Sequence, residues 1–195
     1  STLIQKQQII SVIANSTVAL VNATNGVADV YCGGVWISDA IILTSAHCIK
    51  NPINDEIIQT LDKNLVKKIM PIMPELETKN IDVTYLTRMD VSTKSDVEIL
   101  HIPRRTHLMF QNIKKDIALL RAVDPPPHNV AKLNNTVEPQ VGEIIHVMGH
   151  KVGYWWSYDR GWISAIRTQA GPLQDNIKVI QVGGSVWLGD SGGGA

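Results

Sequence analysis

The sequence predicts an all-β fold built from many short strands. Stretches that are rich in β-branched residues, or that alternate apolar and polar residues, recur along the chain and are bounded by Gly, Pro, Asn or Asp. Long helices do not alternate with these stretches, which disfavours a layered α/β fold. The pattern is typical of a β-barrel or a β-sandwich. The predicted strands cover residues 18–22, 29–38, 40–45, 97–102, 117–122, 144–149, 162–168 and 178–182.

Two segments are predicted to be helical instead. Residues 5–14 form a short candidate helix ahead of the first strand. In residues 55–70, apolar side chains recur every three or four positions, which is typical of one face of an amphipathic helix. This second helix lies in a predicted insertion, residues 50–95. We interpret it either as a surface element packed on the barrel or as a lid or substrate-binding exosite.

A proline-rich stretch divides the chain into two β-rich halves. Residues 124–135 contain three consecutive prolines, which cannot donate ladder hydrogen bonds and which favour an extended backbone. The sequence therefore predicts an N-terminal half at 1–123, a linker at 124–135 and a C-terminal half at 136–195.

Composition excludes several classes of protein. Hydrophobic residues make up 44% of the 195 residues and charged residues 18%, which argues against a disordered or fibrous chain. Lys+Arg and Asp+Glu both number 18, so the balance of charge gives no support for a nucleic-acid partner. No apolar run reaches the roughly 18 residues of a membrane-spanning helix. The sequence makes no prediction of oligomeric state.

The strongest chemical signal is the string Gly189-Asp190-Ser191-Gly192-Gly193. A serine hydroxyl is a weak nucleophile unless a base takes its proton as it attacks. The negative oxygen that develops on the substrate also needs preorganised donors, and backbone N–H groups can supply them. Glycines beside the serine permit a tight turn and a close approach of the backbone. The alternative is a glycine-rich hairpin with an incidental serine.

Two further motifs supply a candidate base and a candidate carboxylate. His47 stands in Thr44-Ser45-Ala46-His47-Cys48, directly after an apolar run, and imidazole can accept and return a proton near neutral pH. Asp116 leads into the apolar run 117–120, and such a carboxylate can orient an imidazole and stabilise its cation. Taken singly, the histidine is also compatible with a surface or core role, and the aspartate with a cap or turn.

The remaining histidines and the two cysteines do not form a metal-binding pattern. The other histidines lack tight metal-ligand spacing, and Cys32 and Cys48 lack the paired Cys or His arrangement of a zinc site. The sequence therefore predicts no metal and no cofactor. The two cysteines are compatible with two buried thiols or with one disulfide. The histidines interpreted as surface or core residues are His101, His107, His128, His146 and His150.

The order His, Asp, Ser in these motifs resembles the trypsin/chymotrypsin superfamily of serine peptidases. Segments 141–143, 147–149 and 161–165 are similar to the HtrA-type and other bacterial or viral members of that superfamily. The resemblance implies a chymotrypsin-like fold of two perpendicular, antiparallel, six-stranded β-barrels with the active site between them. His47 and Asp116 would come from the first barrel and Ser191 from the second. The N–H groups of Gly189 and Ser191 would form the oxyanion hole.

The same resemblance implies a disulfide beside the catalytic histidine. The stretch Cys32-Gly33-Gly34 and the later Ala46-His47-Cys48 match the superfamily's pair in spacing. Such a bridge contributes roughly 3 kcal/mol in the chain-entropy model. It also implies an oxidising compartment, so we expect a secreted protein that is extracellular or periplasmic.

Three details depart from the superfamily pattern. No Ile-Val-Gly-Gly start is present to pair with Asp190, so we expect Arg160 or Arg167 to neutralise that carboxylate. Relatives continue well past the serine motif, so we expect an incomplete second barrel at the C-terminus and poor turnover by the 195 residues alone. By simple counting, the base of the specificity pocket falls on Ser185. Trp155, Trp156 and Trp187 are interpreted as cleft-lining or barrel-packing aromatics.

The sequence thus predicts a serine endopeptidase that acts on a protein or peptide substrate through an acyl-enzyme intermediate. The alternative is a catalytically silent homologue that serves as a binding or regulatory module. An esterase of the α/β-hydrolase type is disfavoured, because in that fold the histidine follows the serine.

Overall fold

The computed structural model describes residues 2–24, 27–49, 82–91, 103–112, 115–134, 136–151, 154–170, 176–184 and 191–194. These ranges contain a helix, α1 (Leu3–Ser16). Their strands are β1 (Thr17–Thr24), β2 (Val27–Trp36), β3 (Ile41–Thr44), β4 (Asp82–Thr87), β5 (Arg104–Asn112), β6 (Ile117–Ala122), β7 (Ile144–Gly149), β8 (Ser157–Ala170) and β9 (Asn176–Gly183).

The first six strands close into an antiparallel barrel in the order β1-β2-β3-β6-β5-β4. Alternation along each strand sends one face inward: in β6, Ala118 and Leu120 are fully buried, whereas Ile117 is exposed. Trp36 and Tyr85 meet edge to face inside the barrel, with ring centroids 5.6 Å apart. The described residues are mostly β, as predicted, and the closed sheet is a barrel rather than a sandwich.

Two barrel strands, β4 and β5, were not predicted from the sequence. Strand β5 begins with Arg104 and Arg105, and charged residues are poor indicators of a strand. Here the barrel gives Arg104 a partner: its guanidinium donates to both carboxylate oxygens of Asp90, at 2.8 and 2.9 Å. Burial opposes ionisation of Asp90, but the hydrogen bonds from Arg104 and from Thr87 lower the pKa of that carboxyl overall. Tertiary pairing therefore accommodates charges that local propensity disfavours.

Strand β4 also corrects the predicted insertion. Residues 82–87 fall within the range 50–95, yet they pair with both β1 and β5 and complete the barrel. They are therefore part of the barrel itself. The predicted amphipathic helix at 55–70 and the predicted strand at 97–102 lie outside the described residues.

The predicted N-terminal helix is confirmed, and its ends have clear causes. Thr2 caps the N-terminus in a capping box with Gln5. At the other end, the hydroxyl groups of Ser16 and Thr17 both donate to the carbonyl of Ile13, at 2.9 and 2.8 Å. The chain then turns directly into β1. None of the described helices is long and apolar enough to cross a membrane.

The described residues of the second half form one three-stranded antiparallel sheet in the order β7-β8-β9. Residues 124–134, the described part of the predicted linker, contact the end of β2. There His128 stacks on Trp36 with ring centroids 3.9 Å apart, and the N–H of Ala131 donates to the carbonyl of Trp36. The structure thus shows one closed barrel followed by a second, partial sheet.

A buried histidine, His150, joins the two parts. Its Nδ1 accepts from the backbone N–H of Trp156 at 3.0 Å, and its Nε2 donates to the carbonyl of Val18 in β1 at 3.1 Å. Since Nδ1 accepts, the proton of the neutral ring resides on Nε2. His150 lies directly after β7, so this contact fixes the end of that strand against the first barrel.

Candidate active site

His47 projects from a short turn whose flanking residues are anchored in the core. Strand β3 ends at Thr44, and the residues from Ala46 to Cys48 form one 3₁₀ turn. Ala46 and Cys48 are buried, whereas His47 between them is exposed. The turn therefore holds the imidazole at the barrel surface on a fixed base.

Asp116 contacts His47 through both carboxylate oxygens. Oδ2 lies 2.8 Å from Nδ1 of the ring, and Oδ1 accepts from the backbone N–H of His47 at 2.9 Å. A carboxylate only accepts, so Nδ1 carries the proton, and Nε2 is the unprotonated nitrogen of the neutral ring. The two side chains are 56% and 49% exposed, and exposed ion pairs contribute little to stability. The geometry is that of a proton acceptor oriented by a carboxylate.

Cys32 and Cys48 form the disulfide that the resemblance implied. The bridge ties β2 to the turn that carries His47. Among the described residues, the potential ligand atoms of Cys32, His47 and Cys48 lie within 4.8 Å of one another. Because the two sulfur atoms are bonded to each other, no thiolate is left there for a metal to bind.

The turn that contains Ser191 is held on two sides. The carbonyl of Ser191 accepts from the N–H of Gly33 in β2 at 2.7 Å and lies 3.9 Å from Sγ of Cys48. Three residues later, the N–H and carbonyl of Gly194 both pair with Met148 of β7, at 3.1 and 2.9 Å. The serine turn therefore sits where the first barrel and the second sheet meet, beside the disulfide that flanks His47.

Three comparisons place this arrangement beside known proteins. Residues 32–195 match the family model of the trypsin-like peptidase domain. The chain belongs to this family. The superfamily assigned from the sequence is confirmed. A search of curated proteins finds no match.

Solved structures similar to this trypsin-like peptidase domain share its fold. One is a serine endoprotease from Yersinia pestis, with 16% identity, a TM-score of 0.58 and coverage of 96% of this chain and 51% of that one. Another is the HtrA-type protease AlgW with a tripeptide, with 16% identity, a TM-score of 0.62 and coverage of 96% and 48%. The chain thus spans about half the length of both. At 16% identity, these likenesses show a shared fold.

Several predicted site residues of the peptidase domain are not described by the structure. Gly189 of the oxyanion hole, Asp190, Ser185 of the specificity pocket and Trp187 lie outside the described residues. The proposed partners of Asp190, Arg160 and Arg167, are both exposed, and Arg167 donates to the side chain of Gln181 at 3.1 Å. Pairing of either arginine with Asp190 stays a prediction.

Of the two interpretations of Trp155 and Trp156, the structure supports packing. Their rings stack with centroids 6.0 Å apart, against a buried cluster formed by Ala19, Val21 and Leu86. The indole N–H of Trp156 donates to the carbonyl of Ala14 at 3.1 Å. Trp155 and Trp156 therefore pack at the contact between the two parts of the peptidase domain.

Sequence reasoning gave no role to four residues that hold the peptidase site together. They are Gly33, Thr44, Met148 and His150. Gly33 and Thr44 stand inside the motifs that were recognised, so a signal for them was present. Met148 stands in the recognised segment 147–149, but its backbone pairing with Gly194 is not visible in the sequence, and neither is the burial of His150.

Gly192 illustrates why the serine turn of the peptidase domain needs glycine. Its φ is 76°, and a Cβ added there would lie 2.4 Å from both the carbonyl oxygen of Gly33 and Oγ1 of Thr44. We expect Gly192→Ala to lower the free energy of unfolding by about 3 kcal/mol or more, because backbone strain and a steric clash combine. Urea unfolding measures the change.

Gly142 provides a matched control for Gly192. It also has a positive φ, 94°, but a Cβ there would meet nothing within 4 Å. Gly142→Ala should therefore show the cost of strain alone, about 1–2 kcal/mol. Equal losses in the two variants would contradict the close approach of Gly192 to Gly33 and Thr44.

Proposed function

We propose that this domain hydrolyses peptide bonds through an acyl-enzyme intermediate, with His47, Asp116 and Ser191 as its catalytic triad. The observation that carries the proposal is the double contact of Asp116 with His47, on the ring at 2.8 Å and on the backbone at 2.9 Å. Family membership supports the same chemistry, as does the hydrogen bond that holds the Ser191 turn to β2 beside the disulfide.

In the first half-reaction, Oγ of Ser191 bonds to the substrate carbonyl carbon while its proton passes to Nε2 of His47. Asp116 stabilises the imidazolium that forms. The N–H groups of Gly189 and Ser191 receive the negative oxygen of the tetrahedral intermediate. The C–N bond then breaks, the proton moves from Nε2 to the leaving amine, and an acyl-enzyme ester remains.

In the second half-reaction, water replaces the amine. His47 takes one proton of the water as its oxygen bonds to the ester carbon, and the same proton returns to Oγ of Ser191 as the ester breaks. The carboxylic acid leaves, and the free enzyme is regenerated. The expected substrate is a protein or peptide, and neither half-reaction requires a cofactor.

The proposal extends to architecture and location. In it, residues 1–123 and 136–195 are the two β-barrel halves joined by a linker, and β7–β9 belong to the second barrel. An extracellular or periplasmic location is proposed from the disulfide, because such bridges persist in oxidising compartments.

Labelling with a fluorophosphonate, which forms a covalent bond with an activated serine, tests the proposal. We expect one adduct on Ser191, located by peptide mass spectrometry. The variants Ser191→Ala and His47→Ala should not be labelled. Ser45→Ala is the matched control, because it removes a serine near the site without touching the triad. Absence of an adduct on the wild-type protein would instead support the catalytically silent homologue.

A further inference from the structure

Thr44 lies at the point where the elements that carry the catalytic residues meet. It is the last residue of β3, three positions before His47, and it pairs with Ala118, two positions after Asp116. Its side chain is nearly fully buried, with 4% exposure. A polar side chain at such a position needs a partner, and the identity of that partner indicates what Thr44 does.

The hydroxyl of Thr44 donates to the carbonyl of Gly33 at 2.7 Å. The N–H of the same glycine donates to the carbonyl of Ser191, also at 2.7 Å. Gly33 therefore makes both contacts. Its carbonyl accepts from Thr44, and its N–H donates to the serine turn. The bond from Thr44 fixes the orientation of the backbone on which Ser191 rests.

Thr44 also forms part of the surface against which the serine turn packs. A Cβ on Gly192 would lie 2.4 Å from Oγ1 of Thr44 and 2.4 Å from the carbonyl oxygen of Gly33. The residue that follows Ser191 thus fits directly over the hydrogen bond between Thr44 and Gly33. Loss of that bond leaves a buried carbonyl without this donor, at the place where the serine turn has least room to move.

We propose that Thr44 is a positioning residue: its hydroxyl fixes the Gly33 backbone and so sets the position of the Ser191 hydroxyl relative to His47. This inference rests on the proposed function, because it assigns to Thr44 the alignment of that same triad. Proton transfer and nucleophilic attack depend steeply on distance and direction, so a small displacement of the serine turn lowers the rate of attack.

Thr106 offers a matched control for a purely structural role. It is fully buried in β5 of the same barrel, and its hydroxyl donates to the carbonyl of Val83 at 2.8 Å. Threonine and valine have nearly the same shape, so Thr44→Val and Thr106→Val each remove one buried hydroxyl donor and little else. The two variants differ in whether the lost bond supports the serine turn.

The test combines peptide hydrolysis with amide exchange of the Gly33 N–H, measured by NMR. For Thr44→Val, we expect kcat to fall about tenfold with KM changed less than about twofold, since a hydrogen bond that aligns the site is lost. Exchange of the Gly33 amide should become about tenfold faster, because its bond to Ser191 opens more readily. Thr44→Ser, which keeps the hydroxyl, should restore both values, and Thr106→Val should change neither.

The outcomes separate the two proposals. If the wild-type protein hydrolyses peptides but Thr44→Val matches Thr106→Val in kcat and in Gly33 exchange, the role of Thr44 is overturned and the proposed function stands. If Thr44→Ser behaves like Thr44→Val, the hydroxyl is not the cause and the inference also fails. If the wild-type protein is not labelled at Ser191, the proposed function fails and the inference fails with it.

Discussion

Asp116→Asn is expected to lower kcat by about 10⁴-fold while leaving the fold intact. In the wild-type structure, Oδ1 accepts from the backbone N–H of His47, and Oδ2 faces Nδ1. An asparagine keeps its carbonyl oxygen on the backbone N–H and so presents its NH₂ group to the ring. Nδ1 must then accept, and the proton moves to Nε2. A histidine in that tautomer cannot take the proton of Ser191.

Asp124→Asn is the matched control for this prediction. Asp116 and Asp124 both have positive φ, 55° and 47°, a conformation that asparagine tolerates well, so neither substitution adds backbone strain. Asp124 lies just after β6, outside the triad. Steady-state kinetics on a peptide substrate should show full activity for Asp124→Asn. Activity of Asp116→Asn within tenfold of the wild type would contradict the tautomer argument.

The barrel strands that carry the site were predictable because their sequences are locally consistent. Strands β3 and β6 are short and have apolar residues that face inward. His47 follows β3 closely, and Asp116 directly precedes β6. By contrast, β4 and β5 carry charges whose partners come from other parts of the chain. Asp82, for example, faces Arg105 and His107 across the sheet, at 2.8 and 2.6 Å. The strand propensity of a single residue does not include the contribution of these cross-strand pairs.

The candidate site divides in the same way. Motifs identified His47, Asp116 and Ser191 as candidates because these side chains can carry acid–base or nucleophilic chemistry and their flanking residues are distinctive. The support beneath them consists of backbone contacts, such as the N–H of Gly33 on Ser191 and the pairing of Gly194 with Met148. Backbone groups are the same in every residue, so a sequence carries little information about which of them will meet.

His150 shows how a general rule on histidines can miss a specific role. The sequence predicted that His150 is a surface or core residue, and the structure places it in the core, fully buried. However, both ring nitrogens make hydrogen bonds, to Val18 in the barrel and to Trp156 in the second part. Because His150 follows the strand that pairs with Gly194, its buried side chain holds the end of that strand against β1 of the barrel.

Removal of the disulfide should have a large effect on stability. We expect the double variant Cys32→Ala/Cys48→Ala to lose about 3 kcal/mol in the free energy of unfolding, which corresponds to about 10 °C in Tm. The bridge joins residues 16 positions apart, and both cysteines are buried in the barrel core, at 4% and 1% exposure. Truncation of two packed side chains adds to the loss of the cross-link. Urea unfolding and thermal denaturation measure the two quantities.

A dithiol reductant separates the cross-link from the packing. Cys32 and Cys48 are the only cysteines in the sequence, so the reductant has no other target. It should lower the Tm of the wild-type protein toward that of the double variant and leave the double variant unchanged. The bridge also lies against the carbonyl of Ser191, 3.9 Å from Sγ of Cys48, so reduction should slow fluorophosphonate labelling as well. If the reductant changes neither the Tm nor the labelling rate of the wild-type protein, the bridge does not support the serine turn.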